Sequence, residues 1–169
     1  SLSVMSTKQQ TKLLVDFWTK LGNDAVRMRG GLQLQKARVS TEDSAQLKRA
    51  QRDWQGAEGI ITSWEDFEHY PWPTWRDADF SHIEYAAEIL PDGMEILVSP
   101  YGMLEPIMWM MGFEGLALAL YDTPDLVEAM VERIASIYTP IADAVLDMDR
   151  VAGLFMGDDM GFKTSTMFA

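Results

Sequence analysis

Apolar residues recur along this chain with two periods, and the alternation between those periods outlines its architecture. Leu13, Leu14, Phe17, Trp18 and Leu21 return at spacings of three and four, which marks one face of an amphipathic helix over 8–21. Gly22 ends it. A short strand is predicted over 23–29, where Ala25, Val26 and Met28 are apolar and the Gly30-Gly31 pair breaks the run. The stretch 32–59 is polar and poorly periodic, an irregular excursion with one weak helical period over 44–54. Ser63 followed three residues later by Asp66 reads as a helix cap, and Pro71 and Pro73 close that helix. Ile83, Ala86, Ala87 and Leu90 predict a helix over 80–90, Pro91-Asp92-Gly93 a turn, and 94–98 a second strand stopped by Pro100 and Gly102. Two short helices follow over 104–111 and 114–121. The longest helix opens at Thr123-Pro124, with proline in the first turn, where a missing N–H costs little. Its apolar positions hold the period from Leu126 to Met148, and Pro140 predicts a kink. Val151 to Met156 is an apolar run broken by Gly157, read as a buried strand that ends in the polar loop Asp158-Asp159.

Strands alternating with helices predict an α/β fold with a parallel sheet covered by helices. In such sheets the residues just past the carboxyl ends of the strands form the ligand face. Asp158 and Asp159 are therefore the first catalytic candidates; the competing reading makes one of them the cap of the next helix and leaves the other solvated. Tyr101 and Glu105 follow the second strand to the same face as substrate-binding candidates. Glu105 acts as a general base if burial or nearby acids raise its pKa, or it merely suits the positive end of a helix. Lys163 either pairs with Asp159 or holds a substrate anion, and Arg29 ends the first strand as a further substrate-binding candidate. His69 and His82 read as structural or solvated, so no metal ligand is assigned. Trp72, Trp75 and Trp109 either wall an aromatic pocket or pack in the core, and their apolar spacing favours the core.

Composition narrows the classes. The 169 residues are 47% hydrophobic, enough for one domain with a core and too much for global disorder. A net charge of −12, from 26 acidic and 14 basic residues, repels phosphate backbones and anionic headgroups and argues against nucleic-acid and membrane partners. With no cysteine, the chain offers no thiolate ligand and no cysteine nucleophile. No run approaches the ~18 apolar residues of a membrane span, and the amino terminus lacks a signal-peptide core. The expectation is a soluble, cytoplasmic chain. Ser1 to Ser6 are set aside from fold reasoning as a candidate cloning remnant.

Three segments carry a resemblance. In order, WQGAEGIITSWEDFEHYPWP (54–73), PYGMLEPIMWMMGFEGLALALYDTPDLVEAMVERI (100–134) and GDDMGFKTSTMF (157–168) resemble the uroporphyrinogen decarboxylase superfamily. That family holds the haem-pathway decarboxylase and the cobalamin-linked methyltransferases on a TIM-barrel (β/α)8 fold. The resemblance spans roughly 54–168 and corresponds to the amino-terminal half of such a barrel. Three strands are too few for a closed barrel of ~250 residues, so the expectation is a partial barrel and a fragment of a longer protein. The Asp-Asp-Met-Gly of 158–161 is more similar to the methyltransferase-like branch. The decarboxylase's aspartate-serine-tryptophan pattern is met only by Asp158 or Asp159, and 102–112 lacks the tyrosine that the decarboxylase carries. Charge leans the same way, because a polycarboxylate needs many donors and only Arg27, Arg29 and Lys163 stand near predicted strand ends. The resemblance implies methyl transfer involving a small methylated substrate, with zinc and a corrinoid as cofactors and a corrinoid protein as partner. In that setting Asp158 and Asp159 orient substrate or support a metal whose ligands lie outside this segment. Two alternatives stay open: uroporphyrinogen decarboxylation, and a non-catalytic fragment that forms a homodimer through exposed sheet edges.

Overall fold

The computed structural model describes residues 5–35, 39–40, 53–54, 59–100 and 102–168. Its elements are α1 (Thr7–Lys20), β1 (Ala25–Arg29), β2 (Val39–Ser40), β3 (Asp53–Trp54), α2 (Trp64–His69), a 3-10 turn (Trp75–Asp77), α3 (Ser81–Ile89), β4 (Glu95–Ser99), α4 (Leu104–Met111), α5 (Phe113–Asp122), α6 (Pro124–Leu146), β5 (Val151–Leu154), β6 (Gly161–Phe162) and β7 (Ser165–Thr166). They fall into two compact units, one made of 1–33, 73–101 and 136–157, the other of 34–72, 102–135 and 158–169.

The first unit is built on a parallel sheet in the order β1-β4-β5. Parallel neighbours need a crossover, and here each crossover carries helices, as the alternating periods predict. Val26 pairs with Ile96 and Met28 with Val98; all four are buried. Helices α1 and α3 pack on each other and against β1 and β4. Full burial of such side chains stabilises by about 1.5–3 kcal/mol each relative to exposure. The intervening residues turn the other way: Arg27, Arg29 and Glu95 are exposed, while Leu97 and Ser99 are half-buried. One face of the sheet is thus packed and the other is open.

Three expectations are corrected here. The apolar run 151–156 is not a buried strand: β5 ends at Leu154, and Phe155 and Met156 are 45% and 53% exposed. Among the described residues β5 pairs with β4 alone, so it is an outer strand whose alternate side chains face the open side. A bulge at Ala152, between the pairs Ile96–Val151 and Leu97–Gly153, shifts its register. Second, α1 buries Thr11 and Val15, and its apolar stripe is split, with Leu14 and Trp18 half-buried. Leu13, Phe17 and Leu21 are 49%, 52% and 58% exposed. Third, Ser6 belongs to the fold. Its hydroxyl accepts from Gln9 N at 3.3 Å while the Gln9 side chain accepts from Ser6 N at 2.9 Å, a complete capping box for α1.

In the second unit α4 and α5 pack together, and α4 buries Ile107, Met108, Met110 and Met111. Ser63 caps α2 as its spacing predicts, accepting from Asp66 N at 3.2 Å. Asp66 answers by accepting from Thr62 N at 2.9 Å and from the Thr62 and Ser63 hydroxyls at 2.8 and 3.0 Å. These bonds, the Thr62 amide first, hold the Asp66 carboxyl below its ordinary range. The period of α6 appears in its burial: Leu126, Met130 and Ile134 lie in this unit, and Ile137, Ile141 and Val145 in the first. The helix runs through Pro140 without a break. The helical period expected over 44–54 lies outside the described residues except at its end, where Asp53–Trp54 form β3 against β2.

Candidate active site

Helix α4 lacks a cap of its own. Its N-cap position is Met103, which has no side-chain oxygen to offer, so the first amides of the helix need an acceptor from elsewhere. Asp158 supplies it. Its Oδ2 accepts from Met103 N at 2.6 Å and Leu104 N at 3.0 Å, and its Oδ1 from Glu105 N at 2.9 Å. The separation along the chain is 53 to 55 residues. Charge-assisted bonds of this kind are the strong ones, and the negative carboxylate also meets the positive end of the helix. Gly102 makes the approach possible, because a Cβ there would overlap the Asp158 carboxylate.

The arrangement fastens the loop after β5 to the start of α4 and brings Asp158 and Glu105 together. Three of roughly four lone-pair directions of the Asp158 carboxylate are taken by amides, so its work in this geometry is to hold backbone. Asp159 is exposed and, among the described residues, carries no hydrogen bond or ion pair. Glu105 is half-buried with its side chain unengaged in the same sense. Lys163 stands in the turn of a small antiparallel hairpin, Gly161–Phe162 against Ser165–Thr166, exposed and not paired with Asp159. Tyr101 lies outside the described residues.

Arg29 belongs to the first unit, on the open face of β1. Its carbonyl accepts from His82 Nε2 at 2.9 Å, which fixes the helix α3 start to the end of the strand. Arg27, two residues earlier on the same face, lays its guanidinium over the Phe155 ring at 4.5 Å. The sequence reading gave Arg27 no site role, and its partner was hidden because Phe155 counted as strand core. Gly31, at φ 83°, then turns the chain so closely past Asp79 that a Cβ would stand 2.5 Å from its carbonyl oxygen.

The capping role of Asp158 was open to inference from one signal. A strongly apolar helix that begins at Met103-Leu104, directly after a glycine and without Ser, Thr, Asp or Asn at its start, must find an acceptor at a distance.

The chain's donors do not fit the zinc that the family resemblance implies. It has no cysteine, and both histidines are engaged with backbone carbonyls, His69 with Glu65 and His82 with Arg29. Among the described residues no three His, Asp or Glu side chains are grouped to hold a metal ion. None of their helices is long and apolar enough to cross a membrane. Comparison with protein-family models, curated proteins and solved structures returns no match to this chain.

Proposed function

We propose that this chain is part of a uroporphyrinogen-decarboxylase-type barrel that serves corrinoid-linked methyl transfer on a small methylated substrate. The observation that carries the reading is the open face of the β1-β4-β5 sheet. Parallel sheets are ordinarily covered on both sides, and a barrel wall is the arrangement in which helices cover only one. In this reading Asp159 and Glu105 are the carboxylates available to orient substrate, and Asp158 holds their backbone in place. Lys163, in the same unit, takes a polar group of the substrate; Arg29 belongs to the other unit and is given no part in this site. Zinc and corrinoid ligands come from outside these residues, and no step of the chemistry is assigned through them.

A second reading has its own observation. Arg27 and Arg29 project from one face of one strand, which suits a carboxylate-bearing substrate and hence decarboxylation of a polycarboxylate tetrapyrrole. A third, self-association without catalysis, is favoured by the exposed Leu13, Phe17 and Leu21 stripe of α1. One assay separates the first two. The barrel that contains this chain is supplied with methylcobalamin, a thiol and zinc, and in parallel with uroporphyrinogen, while the corrinoid spectrum and released carbon dioxide are followed. Demethylation of the corrinoid that is lost in Asp159→Asn supports methyl transfer. Carbon dioxide release alone supports decarboxylation. Neither signal, together with a dimer in sedimentation, leaves self-association.

A further inference from the structure

The second unit holds an aromatic cluster that the site above does not use. Phe67 and Trp72 stand with ring centroids 5.3 Å apart and planes inclined by 56°, which makes a two-walled notch. Tyr70 backs Trp72 at 4.4 Å, and Trp64 meets the edge of Phe67 at 5.6 Å and 77°. The polar atoms of Trp72 and Tyr70 are already spent inside the chain. Trp72 Nε1 donates to the Phe67 carbonyl at 2.9 Å, and the Tyr70 hydroxyl donates to the Gln35 carbonyl at 2.7 Å. What the Phe67 and Trp72 rings themselves present is therefore π surface and no free donor. The Arg133 guanidinium lies almost equally far from both walls, 5.9 Å from the Phe67 centroid and 5.8 Å from that of Trp72.

We propose that the Phe67–Trp72 notch is a binding site for a small quaternary ammonium cation, and that Arg133 occupies and competes for its seat. Two tilted ring faces attract positive charge through their quadrupoles. A fully methylated ammonium has no N–H to satisfy, so it loses least against ring faces that offer no acceptor, and those same faces repel an anion. Glu65 and Glu68 are exposed on α2 beside Phe67, and the chain's net charge of −12 raises the local concentration of cations. The inference concerns binding alone and goes beyond the methyl-transfer reading, so either stands if the other falls.

Choline chloride is the probe, titrated at constant ionic strength while the indole N–H signal of Trp72 is followed by NMR. The comparison is 3,3-dimethylbutan-1-ol, which has choline's shape without its charge. A saturable shift with choline is expected, with the neutral analogue weaker by roughly two- to thirty-fold, the range that cation–π attraction spans. Trp72→Leu should abolish that preference, Trp72→Phe should keep part of it, and Arg133→Gln should tighten choline binding by vacating the seat. Equal binding of choline and the analogue, or no saturable shift, overturns the site. Unchanged or weaker binding in Arg133→Gln overturns the place given to Arg133.

Discussion

Two helices of the second unit begin in opposite ways. Helix α2 is capped from within its own first turn, by Ser63 and by Asp66 reaching back to Thr62. Helix α4 has no side-chain cap of its own and is capped by Asp158 from beyond β5. Both solutions satisfy the same orphan amides, yet they differ in what they tie together. The local cap stabilises one helix. The remote cap makes the start of α4 depend on the loop that carries Asp159, so order in that loop and order in the helix rise and fall together.

The largest effect in this comparison is expected from Asp158→Ala, which strands three amides at once. Losing a charged acceptor of part-buried donors should cost about 2–4 kcal/mol, read as a lower urea midpoint at unchanged slope. A loss below about 1 kcal/mol would show that water replaces the carboxylate and that the remote cap is dispensable. Next comes Gly102→Ala, whose added methyl strikes that carboxylate and should cost about 1–3 kcal/mol. Its cost should shrink sharply in an Asp158→Gly background, where the obstruction is gone; additive costs in that double-mutant cycle would break the link between the two positions. The smallest change is Ser63→Ala, worth about 1 kcal/mol, and it carries a pH signature. The folded pKa of Asp66 lies below its ordinary value of 3.8, chiefly through the Thr62 amide. The stability this gives is present above that value and is lost as pH falls below it. Ser63→Ala removes one of the bonds and should flatten that acid limb of the stability curve; an unaltered limb would assign it to other carboxylates.

The comparison also marks what was legible. The α2 cap was readable because donor and acceptor are three residues apart, and the helices of the first unit were readable because periodicity is local too. Asp158 on α4 was not, since nothing near either end names its partner; only the uncapped start at Met103 points outward. The strand at Val151 shows another limit. An apolar run identifies a strand, but whether Phe155 and Met156 are buried depends on what lies beside β5, which composition does not encode. In α1 the period was right, but Leu14 and Trp18 share the inward side with Thr11 and Val15; Thr11 tolerates that side because its hydroxyl donates to the Thr7 carbonyl at 2.9 Å. The parallel sheet followed from the alternation of elements, whereas the β6–β7 hairpin gave no signal, its turn at Lys163-Thr164 lacking the usual glycine or asparagine.

At the opposite end of the first unit's sheet, Arg150 enters β5 at φ 63°, a backbone cost for a residue with a side chain. Its guanidinium donates to the Pro91 and Met94 carbonyls at 2.8 and 2.5 Å, and its own carbonyl accepts from Ile96 N at 2.8 Å. The entrances to β4 and β5 are thereby clamped to each other. With strand register fixed from that side, the loops leaving the strands are relieved of the task. Insertions and substitutions there leave the sheet in step, because its register is held from the other end by Arg150.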